Sequence, residues 1–222
     1  KPVGKLTREE REQIGMVLSG ACFSSYLHVG DIPSVLSRLY ARFEKKDFLE
    51  RCRRFGLPME KKIQELSTGM KAKLKVLIAL SHDAKLLILD EPTAGLDVLA
   101  REEILDMLRE YMIPGDRSIL ISSHISSDLE GLCDDLYLID QGKIIMHEET
   151  DALLGEYGIL KVTEEQYQTL DKTFVMRRKK ESFGYSLLTG QKQFYQENTP
   201  QITLEKGTID EVIMLMIRGE AL

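Results

Sequence analysis

The residues best suited to chemistry are two adjacent carboxylates at the end of an apolar run: Leu86-Leu87-Ile88-Leu89 leads directly into Asp90-Glu91-Pro92. A short apolar run bounded by turn residues fits a strand buried on both faces. Ionised carboxylates are costly to bury, so a strand ends in them where they meet solvent, a metal or a substrate. Adjacent residues leaving a strand point in different directions, so the two carboxylates can face different groups. Pro92 removes a backbone donor and stops the strand. Taken alone, the segment is equally a buried strand running into a polar loop.

Three further segments surround it. Upstream lies Leu66-Ser67-Thr68-Gly69-Met70, with Ser67 placed to cap a helix that runs to about Ser81. Such a helix start offers free amides and a positive dipole end to an anion, and Gly69 lets backbone approach closely. Downstream lies Ala94-Gly95-Leu96-Asp97, where an Asp in a Gly-containing turn is often a turn residue only. A second apolar strand, Ser118 to Ser123, ends in His124.

In this order and spacing the four segments resemble the nucleotide-binding domain of ABC transporters, over most of the chain from about Ile14 to the hairpin near His147. They correspond to the signature motif, the Walker B strand with its catalytic glutamate, the D-loop and the switch histidine. The resemblance implies that Asp90 holds Mg2+ through water, that Glu91 polarises the attacking water, and that His124 hydrogen-bonds the γ-phosphate of ATP. It implies that Ser67 and Gly69 grip the γ-phosphate held by a second subunit, and that Asp97 lies where the dimer meets. Thr68 and Met70 depart from the commonest signature form. Where the family carries a Q-loop glutamine that helps hold magnesium, the matching position here is Ser19.

Nothing in the 222 residues matches the phosphate-cradling pattern G-x-x-x-x-G-K-[ST]. Gly4-Lys5 is followed by Leu6 and Gly142-Lys143 by Ile144, and both pairs read as turns. In the family that loop precedes the Q-loop strand. The expectation is a chain truncated at its front, binding ATP weakly or not at all by itself; a naturally degenerate subunit is the alternative.

The elements that must position these residues follow from pattern. Thr7 to Arg11 reads as a capped helix and Ile14 to Leu18 as a strand. Val35, Leu36, Leu39, Tyr40 and Phe43 form an apolar stripe, continued by Phe48, Leu49 and Cys52 and stopped at Gly56 and Pro58. The resemblance makes residues 28–65 the helical subdomain that docks on a membrane partner. Val98 to Met112 reads as a helix stopped by Pro114-Gly115, and Leu136–Asp140 with Lys143–His147 as a hairpin about Gln141-Gly142. His28, His82 and His147 match no motif. The expected fold class is α/β, a P-loop NTPase-like, mostly parallel sheet with an inserted helical subdomain. The expected division is a partial ATPase domain over 1–150 and a small α+β accessory region over 151–222. In the latter, Arg177-Arg178-Lys179-Lys180 reads as a solvated turn.

Charge and composition bound the partners. Thirty basic against 36 acidic residues, a net of −6, argue against a general electrostatic grip on nucleic acid. Cys22, Cys52 and Cys133 are odd in number and far apart, which suggests neither a disulfide framework nor a zinc site. No apolar run approaches the ~20 residues that span a bilayer. The resemblance therefore implies an ATP-hydrolysing subunit of a bacterial-type transporter, of the exporter kind. It would lie at the cytoplasmic face of the membrane, partnered by a transmembrane permease and a second ATPase subunit. The alternatives are a soluble ABC-type ATPase acting on nucleic acid or ribosomes, and a non-catalytic regulatory subunit.

Overall fold

The computed structural model describes residues 3–18, 20 and 23–222. The chain divides into two compact units, residues 1–125 and 126–222.

In the first unit, α1 (Arg8–Glu12) opens on a reciprocal cap: the Glu10 amide donates to Thr7 Oγ1 at 3.2 Å and the Thr7 amide to Glu10 Oε2 at 2.7 Å. Then follow β1 (Ile14–Val17), α2 (Ile32–Leu39), α3 (Lys45–Arg54), α4 (Thr68–Leu80), β2 (Leu86–Asp90), α5 (Val98–Met112) and β3 (Ser118–Ser122). The strands form a parallel sheet in the order β1-β2-β3, with Met16 opposite Ile88 and Ile88 opposite Leu120. Helix α4 packs on both β1 and α5. A Cβ on Gly15 would fall 2.4 Å from the Ala79 carbonyl, so only glycine lets helix and strand backbones approach this closely. Val17, Leu87 and Leu89 are buried on this side, with Leu74 and Leu77 of α4 and Ile104 and Leu108 of α5.

On the opposite face Ile88 is half-buried, while Met16 and Leu120 are exposed by 54% and 62%. Burial on both faces was expected of β2; among the described residues its second face is only partly covered. The apolar stripe of the helical region also needs correction. Helix α2 ends at Leu39, which is exposed, and it buries Ile32, Pro33 and Leu36 instead. Tyr40 leaves the helix to stack on the buried ring of His82 at 3.9 Å.

The second unit contains α6 (Ser126–Glu130), β4 (Asp135–Asp140), β5 (Lys143–Glu149), α7 (Thr150–Glu156), β6 (Gly158–Val162), α8 (Glu164–Thr169), β7 (Val175–Glu181), β8 (Gly184–Thr189), α9 (Lys192–Asn198), β9 (Thr203–Lys206), α10 (Ile209–Arg218) and β10 (Glu220–Ala221). The β4–β5 hairpin turns on Gln141 and Gly142 at φ 46° and 75°, the left-handed pair a two-residue turn of this hand requires. Strands β6 to β9 form an antiparallel sheet in the order β7-β8-β6-β9, which with α8 and α9 gives the split β-α-β-β-α-β arrangement, and β10 adds to β7. Leu160, Val162, Tyr167, Leu187 and Tyr195 share one core. Ile159, Leu188, Val212 and Leu215 share another with Leu136 of the hairpin and Leu153 of α7. That second core is why the hairpin belongs to a compact unit beginning at Ser126 rather than at the change of character read at Thr150.

The run Arg177–Lys180 is strand, not turn. Arg178 pairs with Glu220 at 2.9 Å, Lys179 with Glu181 at 2.7 Å and Lys180 with Glu164, so three of the run's four charges are matched.

Candidate functional site

The parallel register sets Asp90, the last residue of β2, opposite Ser122, the last of β3. The chain then turns sharply, with Glu91 at φ 48°. Side chains with a Cβ avoid this region, so the turn persists because its surroundings hold it. The Glu91 amide donates to the Ser122 carbonyl at 3.1 Å and to Ser122 Oγ at 3.2 Å. Ser122 Oγ in turn donates to Asp90 Oδ1 at 2.9 Å. Beyond β3, His124 Nδ1 lies 2.7 Å from Glu91 Oε2. Asp90, Glu91 and His124, expected from sequence to act together, therefore meet at the carboxyl ends of adjacent strands. Open α/β sheets bind their ligands at such ends.

Ser67 caps α4, accepting from the Met70 amide at 3.2 Å. A Cβ on Gly69 would come within 2.9 Å of the Ala100 methyl group, so this glycine also serves the close packing of α4 on α5. Asp97 caps α5, accepting from the Ala100 amide at 2.9 Å. Each of these two capping residues thus has a local role whatever else it does. Ser19 lies outside the described residues, as does Cys22.

A cleft of about 560 Å³ opens beside the carboxylates, lined by Val17, Thr68, Lys71, Lys75, Asp90 and Glu91 among others. It brings the start of α4 and the carboxylate pair to one cavity. The Lys75 ammonium donates to the Leu18 carbonyl at 3.3 Å and the Lys71 ammonium to that of Gln64 at 3.4 Å. Among the described residues no group of three or more His, Cys, Asp or Glu could hold a metal by itself. One ordered carboxylate at a strand end is nevertheless the donor set that suits Mg2+ brought in with phosphates, since that ion takes one or two carboxylates and keeps several waters.

Sequence reasoning missed Ser122. A serine at the end of an apolar strand carries no signal of its own; only its pairing register with Asp90 reveals it.

The family model described as "AAA domain, putative AbiEii toxin, Type IV TA system" matches residues 25–127. The ABC transporter ATP-binding protein YtrB of Bacillus subtilis is 32% identical over 123 residues, 55% of this chain and 42% of that protein. Nod factor export ATP-binding protein I of Rhizobium sp. (strain N33) is 30% identical over 162 residues, 71% of this chain and 53% of that one. The chain thus spans about half the length of these relatives or less. Among solved structures, an ATP-binding subunit of an ABC transporter superposes with a TM-score of 0.58 at 24% identity, covering 66% of this chain and 62% of that one. Over part of its length the chain is thus similar to ATP-binding proteins of ABC transporters, and it shares the fold of their ATP-binding subunits.

Proposed function

We propose that this chain is the part of an ABC transporter ATPase subunit that carries the hydrolytic carboxylates, and that its transporter is of the exporter kind. The observation that carries the reading is the meeting of Asp90, Glu91 and His124 at adjacent strand ends. The export function named for the rhizobial relative supports the direction of transport.

In this reading Asp90 would hold Mg2+ through water, and the ion would supply charge neutralisation for the phosphates of ATP. Glu91 orients the attacking water, its carboxylate steered by His124 and its backbone by Ser122. With Nδ1 engaged by Glu91, His124 keeps Nε2 for the γ-phosphate. Phosphoryl transfer needs little beyond such positioning and charge neutralisation. Ser67 and Gly69 would meet the nucleotide of a second subunit, and Asp97 the surface between the two. A transmembrane permease would supply the transport path, with this chain at its cytoplasmic face; among the described residues no helix is long and apolar enough to cross a membrane. The charge balance gives no support to a nucleic-acid partner.

The test is Glu91→Gln in the ATP-competent protein that carries this chain. Nucleotide binding stays and turnover falls by ~100-fold or more, the loss expected of a water-orienting base. Unchanged turnover removes Glu91 from its role. By itself the 222-residue chain, which contains no phosphate-cradling motif, binds ATP weakly; micromolar affinity in a titration overturns that statement.

A further inference from the structure

We propose that Ser122 is a positioning residue that sets the geometry between the two carboxylates, an inference resting on the ATPase reading above. One hydroxyl touches both: Ser122 Oγ donates to Asp90 Oδ1 at 2.9 Å and accepts the Glu91 amide at 3.2 Å. A hydroxyl can donate once and accept at the same time, which an apolar side chain cannot do at all. Donation to Oδ1 fixes the plane of the Asp90 carboxylate and thereby the direction of Oδ2. Acceptance from the Glu91 amide, shared with the Ser122 carbonyl at 3.1 Å, holds Glu91 in the left-handed turn that aims its side chain at His124.

The neighbouring serine supplies the contrast. Ser123 Oγ accepts from the Ile125 amide at 3.0 Å and donates to the Ile125 carbonyl at 3.4 Å, a local turn that touches neither carboxylate. Ser122 therefore acts through Asp90 and Glu91, without contacting the reacting atoms itself. Threonine keeps the hydroxyl and is tolerated in a strand; alanine removes it.

The experiment uses the full 222-residue chain as wild type, Ser122→Ala, Ser122→Thr and Ser123→Ala, observed by NMR with Mn2+ as the probe. Two readings are taken: hydrogen exchange of the Glu91 amide, and the Mn2+ concentration that broadens the Asp90 resonances. Ser122→Ala speeds exchange and raises the Mn2+ requirement by about tenfold each, the factor that one lost hydrogen bond of ordinary strength sets. Ser122→Thr stays near wild type, as does Ser123→Ala, and the resonances of buried Val17 and Leu89 stay in place in all four. If Ser122→Ala matches wild type in both readings while Mn2+ still broadens Asp90, the positioning role is overturned and the ATPase reading stands. If Mn2+ leaves Asp90 untouched in the wild-type chain, the ion enters only with the phosphates, and exchange of the Glu91 amide then decides the positioning role. The Mn2+ reading is in that case repeated in the ATP-loaded, ATP-competent protein carrying this chain, where an untouched Asp90 overturns the ATPase reading and the proposal with it.

Discussion

Burial holds the His82 imidazole below the ordinary histidine range, more strongly than the Ile14 and Ile78 carbonyls and the charges of Glu12 and Asp83 raise it. The unfolded chain therefore binds a proton near pH 6.5 that the folded chain refuses. The stability due to neutral His82 is complete above that pH and is lost as pH falls below it. In His82→Gln, which can keep a donor to Ile14, the fall in melting temperature between pH 7.5 and 5.5 should be smaller than in wild type. An identical fall would locate the acid sensitivity elsewhere. Burial also pushes the Cys52 thiol up to about 12 and Cys133 to about 11, so neither should be alkylated at pH 8 until the chain unfolds. At this scale the sequence was most informative where residue type and spacing coincide. That Asp90, Glu91 and His124 lie at or just past the ends of strands was legible from the apolar runs that precede them. Ser122 was not, because its partners come from strand register, and register is not written in β3 alone.

Among the elements, α5 separates packing from exposure cleanly. Leu108 is fully buried, whereas Leu99 is 72% exposed at the first turn. Leu108→Ala should cost about 2–5 kcal/mol in a denaturant melt, as cavity-forming changes do, while Leu99→Ala should stay within about 0.5 kcal/mol. Equal costs would mean that the helix is rotated from its described setting. In the second unit Gly184 opens β8 at φ 145°, and a Cβ there would fall 2.1 Å from the Val162 carbonyl. Gly184→Ala should therefore disrupt the five-stranded sheet, seen as loss of the β6–β8 amide protection pattern. Retention of that pattern would contradict the register. This strand escaped sequence reading although it is central to its sheet. It is six residues long, begins on Gly184, stops before Gly190, and follows the basic run of β7. Long periodic helices such as α4 and α5 were legible, since each presents several turns of apolar side chains. Short strands earn their place from neighbours that lie far off in sequence.

For the molecule as a whole, the parallel sheet of the first unit has β1 and β3 as its edges among the described residues, and exposes Met16 and Leu120 on one face. Unpaired strand edges beside exposed apolar side chains invite self-association. The 222-residue chain should sediment with a concentration-dependent mass, and Leu120→Lys should shift it toward the monomer; a monomer at every concentration would contradict the exposed edge. The presence of a nucleotide-binding domain was legible from the order of four motifs spread over some sixty residues, because that chemistry fixes which residue types must stand at successive strand ends. The architecture of the second unit was not, because its split β-α-β-β-α-β topology answers to packing alone and uses no residues with a chemical signature. Everything proposed for function depends on Asp90 and Glu91 standing beside the metal and the terminal phosphate. The most direct measurement is the position of Mn2+ in the ATP-loaded, ATP-competent protein carrying this chain. The ion should lie beside the Asp90 carboxylate with at most one water between them, and Glu91 should face the water in line with the γ-phosphate; an ion seated beyond reach of both carboxylates would contradict the ATPase reading.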